Sequence, residues 1–240
     1  MPAAIEIEHL SVVFPARPGD VRALDDLSLT VEQGRVFGFL GPNGAGKTTA
    51  MQVLLDFVRP TTGRATVFGC DVSQAIARER IGYLPEHPET YRFLTGRELL
   101  DTAGRMYGMR GPALRDRVGE VLHLVNLAGA ADRRAGTYSR GMLQRIGLGQ
   151  ALINDPDLLI LDEPTSGLDP IGRMDIRRII DSLRARGKTV FFSSHELSEV
   201  ELVCDSIAIL ARGRVVLQGP TSTVVGGEQC LEKLFLKVVA

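Results

Sequence analysis

The sequence predicts an α/β protein whose buried parallel strands carry their chemistry at one edge. Three observations predict it. Residues 36–40, 158–161 and 189–193 are compact apolar or β-branched runs, the pattern of strands buried on both faces. The first of these runs passes straight into a glycine-rich loop and then into a helix-period pattern. Between the first and second runs, from about residue 97 to 152, apolar residues recur at helical spacing, so a helical insert separates them.

Taken in order, the first 35 residues alternate apolar and polar. Ile5, Ile7 and residues 12–14 form one expected strand, and Leu27, Leu29 and Val31 a second. Residues 15–20 between them hold two prolines and a glycine and read as a loop. The strand at residues 36–40 leads through its loop into a helix expected over residues 48–58. In the helical block, Leu99, Leu100, Ala103 and Met106 mark one helix, and Leu114, Val118, Val121, Leu122 and Val125 another. Gly108, Gly111 and Pro112 punctuate the two. Residues 207–210 and 214–217 suggest a final hairpin, and Gly226-Gly227 a hinge before a short helix at about 231–239.

Composition narrows the function classes. Hydrophobic residues make up 44% of the 240 and charged residues 24%, which is globular and argues against disorder. A formal net charge of -1 gives no global pull toward nucleic acid, so no nucleic-acid partner is expected. The 3 cysteines, Cys70, Cys204 and Cys230, are scattered and form no C-x-x-C pair, which reads as reduced thiols rather than a disulfide or zinc framework. The start, MPAAIEIEHL, lacks the basic and apolar regions of a signal peptide, and no apolar run is long enough to span a bilayer.

Residues 41–49 read GPNGAGKTT and fit G-x-x-x-x-G-K-[ST]. The chemistry requires these types at this spacing. Glycines let the backbone of Gly41, Pro42, Asn43, Gly44, Ala45 and Gly46 wrap so that N–H groups point at phosphate oxygens. The following helix offers its dipole and unpaired N–H groups, from Lys47, Thr48 and Thr49, to the same anion. Lys47 is then expected at the β- and γ-phosphates and the Thr48 hydroxyl on Mg²⁺. The strand before and helix after make this a nucleoside triphosphate site, with Mg²⁺ as the expected metal.

Residues 158–164 read LLILDEP. Four apolar residues place Asp162 and Glu163 at the carboxyl end of a buried strand, where open α/β sheets bind ligands. Asp162 suits Mg²⁺, directly or through water. Glu163, one residue on, suits a general base that polarises the attacking water.

Five further segments, in order and spacing, resemble the nucleotide-binding domains of ABC transporters. The resemblance extends from about Ile5 to Val239 and implies a P-loop NTPase with a RecA-like core, an antiparallel β subdomain and a helical subdomain at about residues 87–156, all within a single domain of residues 1–240. YSRGMLQR, residues 138–145, resembles the signature segment, commonly LSGGQ. It keeps Ser139 and Gly141 for γ-phosphate contact and departs at Tyr138, Arg140 and Met142. SGLDP, residues 166–170, resembles the segment lining the dimer seam, with Asp169 as its carboxylate. FFSSH, residues 191–195, resembles the switch segment whose His195 hydrogen-bonds the γ-phosphate and joins Glu163 in catalysis. Phe14 matches the aromatic that stacks on adenine. IGYLPE, residues 81–86, resembles the loop that normally carries a glutamine. Here the residue is Glu86, which offers Mg²⁺ an oxygen together with a charge.

The resemblance further implies a partner. The signature lies far from the phosphate loop of its own chain, so Ser139, Arg140, Gly141 and Met142 would meet the ATP of a second, head-to-tail ATPase subunit. All the hydrolytic residues are present in one chain, so a homodimer is expected. Integral membrane subunits are expected near residues 86–94, with the protein peripheral at the cytoplasmic face of the membrane. YLPEHPETYRFLTGREL, YSRGM and LEKLFLKVV are similar to the branch that exports drugs, polysaccharides or lipids, and no longer C-terminal regulatory domain is visible. An importer subunit and a soluble ABC-type ATPase are the alternatives. The signature, Asp169 and His195 segments argue against a P-loop kinase or GTPase. Intact Glu163 and His195 argue against a purely regulatory subunit.

Overall fold

The computed structural model describes residues 2–17, 19–225 and 231–239, with side chains of the last helix described through residue 236. Cys230 and the expected Gly226-Gly227 hinge lie outside the described residues. The chain opens with two 12-residue strands, β1 (Ala3–Phe14) and β2 (Val21–Glu32), then β3 (Val36–Leu40) and α1 (Lys47–Leu54). Next come β4 (Thr62–Val67), β5 (Cys70–Asp71), α2 (Ala75–Glu79) and β6 (Ile81–Leu84). Three helices follow, α3 (Gly96–Met106), α4 (Gly111–Leu124) and α5 (Arg140–Leu152). The chain returns through β7 (Leu158–Leu161), α6 (Pro170–Ala185), β8 (Thr189–Ser194) and α7 (Leu197–Val203). It closes with β9 (Ser206–Ala211), β10 (Arg214–Pro220), α8 (Thr221–Val224) and α9 (Leu231–Val239).

Two sheets result. The antiparallel one has the order β2-β1-β4-β5, and the larger has the order β10-β9-β3-β8-β7-β6. In the larger sheet β3 and β6 to β9 are parallel, and β10 adds antiparallel to β9, so the expected final hairpin is present. Strand period divides the interior in two. Phe37, Phe39, Ile160, Phe191 and Leu210 enter a core shared with β1, β2 and α1. Their alternate neighbours Val36, Leu40, Leu161, Phe192 and Ile209 enter a core shared with α3 to α7. Every residue of β3, β7 and β8 is buried, which is why these strands read as unbroken runs.

Some local expectations change. The helix after the phosphate loop ends at Leu54 instead of continuing to Val58, because Asp56 turns to φ 59 and leaves Phe57 exposed, edge-on to Tyr83. Gly111 and Pro112 do not separate helices; they begin α4, with proline in the first turn, where its missing N–H costs nothing. Residues 81–84 of the expected glutamine-type loop are the edge strand β6, so only Pro85 and Glu86 belong to the loop proper. Cys70 and Cys204 are free thiols, and burial first, with Asp205 nearby, pushes the Cys204 thiol well above its usual range. Among the described residues no helix is long and apolar enough to cross a membrane.

Candidate functional site

Register decides what meets at the edge of the parallel sheet. Leu40 pairs with Ser194 and Leu161 with Phe192, so the segments beginning at Gly41, Asp162 and His195 all leave the same end of adjacent strands. The loop from Gly41 then closes tightly. The Ala45 N–H donates to the Pro42 carbonyl, and Gly46, at φ 108, stands so close to the Ala23 carbonyl that no side chain fits. No side chain caps α1 and no acid lies in its first turn. Its leading N–H groups are thus left to an anion, with the helix dipole behind them.

Lys47 is buried and folds back over the loop, donating to the Gly41 carbonyl at 2.7 Å. Its Nζ also lies 3.7 Å from Glu163 Oε1. The Thr48 hydroxyl donates to Asp162 Oδ2 at 3.0 Å. Asp162 Oδ1 accepts from the Ser193 hydroxyl at 2.6 Å, and Ser193 Oγ in turn accepts the Glu163 N–H at 2.8 Å. Ser193 therefore locks two adjacent acids across β7 and β8. Glu163 sits at φ 48, and that turn brings its Oε2 within 2.7 Å of His195 Nδ1. Lys47, Thr48, Asp162, Glu163 and His195 line a cleft of about 490 Å³, together with Glu86 and, from the start of β2, Arg22. Burial first, and then the Asp162 charge, raises the Tyr83 phenol, which stays protonated beside the acids.

The donor set fits a magnesium ion. Thr48 Oγ1 and Asp162 Oδ2 are neighbouring hard oxygens at the mouth of an anion cradle, and Mg²⁺ takes few protein ligands, completing its shell with water and phosphate. Among the described residues no group of three or more His, Cys, Asp or Glu side chains forms a dedicated metal cage, which is compatible with such a shared site.

The signature-like residues lie elsewhere. Ser139, Arg140 and Gly141 open on a second cleft, shared with Gly167, Leu168, Asp169 and Gly172, and none of the three lines the first. Ser139 is the N-cap of α5 and accepts the Met142 N–H at 3.3 Å. Met142 itself packs toward the larger core rather than lining the cleft. Arg140 lies over Gly167 and donates to the Ser166 carbonyl at 3.2 Å. Tyr138 is buried, and its hydroxyl donates to the Ala130 carbonyl at 2.7 Å, so this departure from the common signature is absorbed by packing. Asp169 caps α6 through the Gly172 N–H at 2.7 Å. Phe14 is 39% exposed at the end of β1 and does not line the first cleft; its cross-strand partner Val21 does. Sequence reasoning passed over Ser193 and Arg22. The only signal for Ser193 was a polar pair interrupting an otherwise apolar strand.

A phosphate-cradling loop between a buried parallel strand and a helix, with an acid pair on an adjoining strand end, defines a P-loop nucleoside triphosphatase. Residues 24–166 match the family model described as ABC transporter. The chain is 49% identical over 210 residues to an uncharacterized ABC transporter ATP-binding protein of Nostoc sp., covering 87% of this chain and 63% of that relative. It is 39% identical over 214 residues to a Nod factor export ATP-binding protein of Burkholderia lata, covering 88% and 70% of the two chains. Among solved structures, a subunit of the cbiONQ ABC transporter complex from Clostridium perfringens superposes with a TM-score of 0.84 at 26% identity, covering 99% of this chain and 96% of that one. The chain belongs to the ABC transporter family and carries its ATP-binding domain.

Proposed function

We propose that the protein is the ATP-binding and hydrolysing subunit of an ABC exporter, one domain across residues 1–240 with its helical subdomain at about 87–156, working as half of a two-subunit ATP sandwich. The observation that carries this reading is the division of labour between two clefts. One holds the phosphate loop, Asp162, Glu163 and His195; the other holds Ser139, Gly141 and Asp169. A head-to-tail pair would bring the second cleft of one subunit over the first cleft of its partner, and a homodimer would complete two equivalent sites.

Within each site Lys47 and the N–H groups of α1 bind the phosphates, and Thr48 and Asp162, with Glu86 beside them, hold Mg²⁺. When bound, the ion would neutralise charge on the phosphates. Glu163 takes the proton of the attacking water, and His195, 2.7 Å away, fixes that carboxylate and faces the terminal phosphate. Ser139 and the N-terminus of the partner's α5 supply the last phosphate contacts. Phe14 stacks on the adenine. Integral membrane subunits dock beside residues 86–94 from the cytoplasmic face, where Tyr91 and Phe93 are 66% and 69% exposed. Export as the direction rests on likeness to the Nod factor export protein.

The test is steady-state ATP hydrolysis by the wild-type chain and Glu163→Gln. The variant keeps its hydrogen bonding but loses the base, so turnover falls roughly 100-fold or more with Mg-ATP binding retained. Hydrolysis at the wild-type rate rejects the base assignment, and a wild-type chain that binds no ATP rejects the function.

A further inference from the structure

The nucleotide cleft has two walls of different origin. The sheet edge supplies Lys47, Asp162, Glu163 and His195, and the start of β2 supplies Val21, Arg22 and Ala23. The Ala23 carbonyl presses against Gly46, so Arg22 stands at the flank of the phosphate loop. Arg22 and Lys47 are the two permanently cationic side chains among the residues lining the cleft. Lys47 is committed to the reacting end by its approach to Glu163.

Arg22 does not hang free. Its Nη1 donates to Asp25 Oδ1 at 2.7 Å, and Asp25 Oδ2 is gripped from the other side by Arg214, from Nε at 2.8 Å and Nη2 at 2.6 Å. The Asp25 N–H donates to the Gly213 carbonyl, and the Gly213 N–H donates to the Ala45 carbonyl of the phosphate loop itself. The turn before β10 thus ties the loop to the segment that carries Arg22. Hydrogen bonds from Arg22 first, and then from Arg214, hold the Asp25 carboxyl below its usual range, so it remains the anion that orients the guanidinium.

We propose that Arg22 binds the α-phosphate of the nucleotide, with Asp25 and Arg214 positioning its guanidinium. This rests on the reading of the cleft as an ATP site. With the terminal phosphate held at Lys47, a nucleotide extended along the loop presents its proximal phosphate to β2. A planar guanidinium already fixed on one edge by a carboxylate keeps N–H donors for that phosphate. The role differs from that of Lys47: it is independent of the γ-phosphate, so it holds ADP as firmly as ATP.

The experiment compares wild type, Arg22→Ala and Arg22→Lys by displacement of a fluorescent ATP analogue with ATP, ADP, AMP and adenosine. Arg22→Ala is expected to weaken ATP, ADP and AMP each by about 5-fold, the scale of a partly exposed charged contact, and to leave adenosine unchanged. Arg22→Lys, which keeps the charge but not the fork, recovers part of that loss for the three phosphorylated ligands. Equal weakening of adenosine means that the residue shapes the nucleoside pocket and overturns the proposal. So does unchanged AMP affinity, which assigns the contact to a more distal phosphate, or no loss with any ligand. A wild-type chain that displaces the analogue with none of the four rejects the ATP site itself, and Arg22 with it.

Discussion

Glu163 and His195 leave neighbouring parallel strands and converge, His195 Nδ1 resting 2.7 Å from Glu163 Oε2. The convergence depends on the register of β7 with β8 and on the positive φ of Glu163, since a β conformation there would carry the carboxylate elsewhere. Glu163 also accepts the His195 N–H, at 3.3 Å, so backbone and ring together fix one oxygen. Its other oxygen faces Lys47. Replacing the ring removes one of these restraints without touching the phosphate loop. His195→Ala is expected to slow ATP hydrolysis by roughly 10-fold or more while ATP affinity changes little. Single-turnover hydrolysis beside equilibrium binding checks the split; affinity falling as far as rate would make His195 a binding residue only.

Lys47 contributes the buried positive charge of the cleft. Its side chain is buried and its Nζ donates to the Gly41 carbonyl, so the ammonium is placed before any phosphate arrives. Lys47→Ala removes the cation and one loop restraint together, and tight ATP binding and turnover should both be lost. Equilibrium binding reads this directly, and unchanged affinity would refute the assignment of the loop.

Glu86 stands exposed at the rim of the same cleft, two residues beyond β6. As an acid in place of glutamine it adds a negative charge near the Thr48–Asp162 pair. Glu86→Gln should raise the Mg²⁺ concentration giving half-maximal ATPase activity. An identical metal dependence would confine Glu86 to coupling or structure.

How much of this was legible follows from the range of the interactions. Strands β3, β7 and β8 were legible because burial on both faces leaves only apolar choices. β4 was not, since TGRATV buries just Ala65 and Val67 and so carries no pattern. Phosphate loop, acid pair and signature are each local in sequence, so their residue types could be read directly. The Ser193 bridge between Asp162 and Glu163 depends on cross-strand register, at sequence separations of 31 and 30, and nothing local announces it. Arg22 was invisible for a similar reason: its place in the cleft is set by contact between Ala23 and Gly46. The end of α1 was misjudged because Leu55, Phe57 and Val58 continue an apolar pattern that Asp56 interrupts with its backbone alone.

The helical subdomain offers a test of local stability with a defined pH sign. Thr95 caps α3 by accepting the Glu98 N–H at 3.2 Å, while Glu98 Oε2 accepts the Thr95 N–H at 2.8 Å and its hydroxyl at 3.0 Å. The backbone N–H of Thr95 first, and then its hydroxyl, hold the Glu98 carboxyl below its usual range. A depressed folded-state value means that the contribution is complete above the ordinary glutamate range and disappears as pH falls through the lowered value. Thr95→Ala should therefore destabilise the protein by about 1 kcal/mol near neutral pH, with a smaller penalty in acid. Urea unfolding at pH 7 and below pH 4 measures both; an equal penalty at the two values would mean that the cap acts through Thr95 alone.

The two-cleft arrangement makes the strongest demand on Ser139. Its side chain is exposed at the start of α5, in the cleft that contains no phosphate loop, so within one subunit it has no phosphate to bind. In Glu163→Gln the base and a negative charge near the terminal phosphate are both gone, so bound Mg-ATP persists and closure is eased. That variant should accumulate as a dimer in ATP, read by size-exclusion chromatography with light scattering at high protein concentration. Adding Ser139→Arg removes the hydroxyl and sets a bulky side chain against the partner's nucleotide, so the dimer should dissociate. ATP affinity of the single subunit should stay within about 3-fold, because Ser139 is no part of its own cleft. The affinity control separates the outcomes. A double variant that loses ATP binding outright has a damaged phosphate loop. A double variant that binds ATP and remains dimeric shows that Ser139 does not face the partner's site. A Glu163→Gln protein that stays monomeric while saturated with ATP would overturn the sandwich itself.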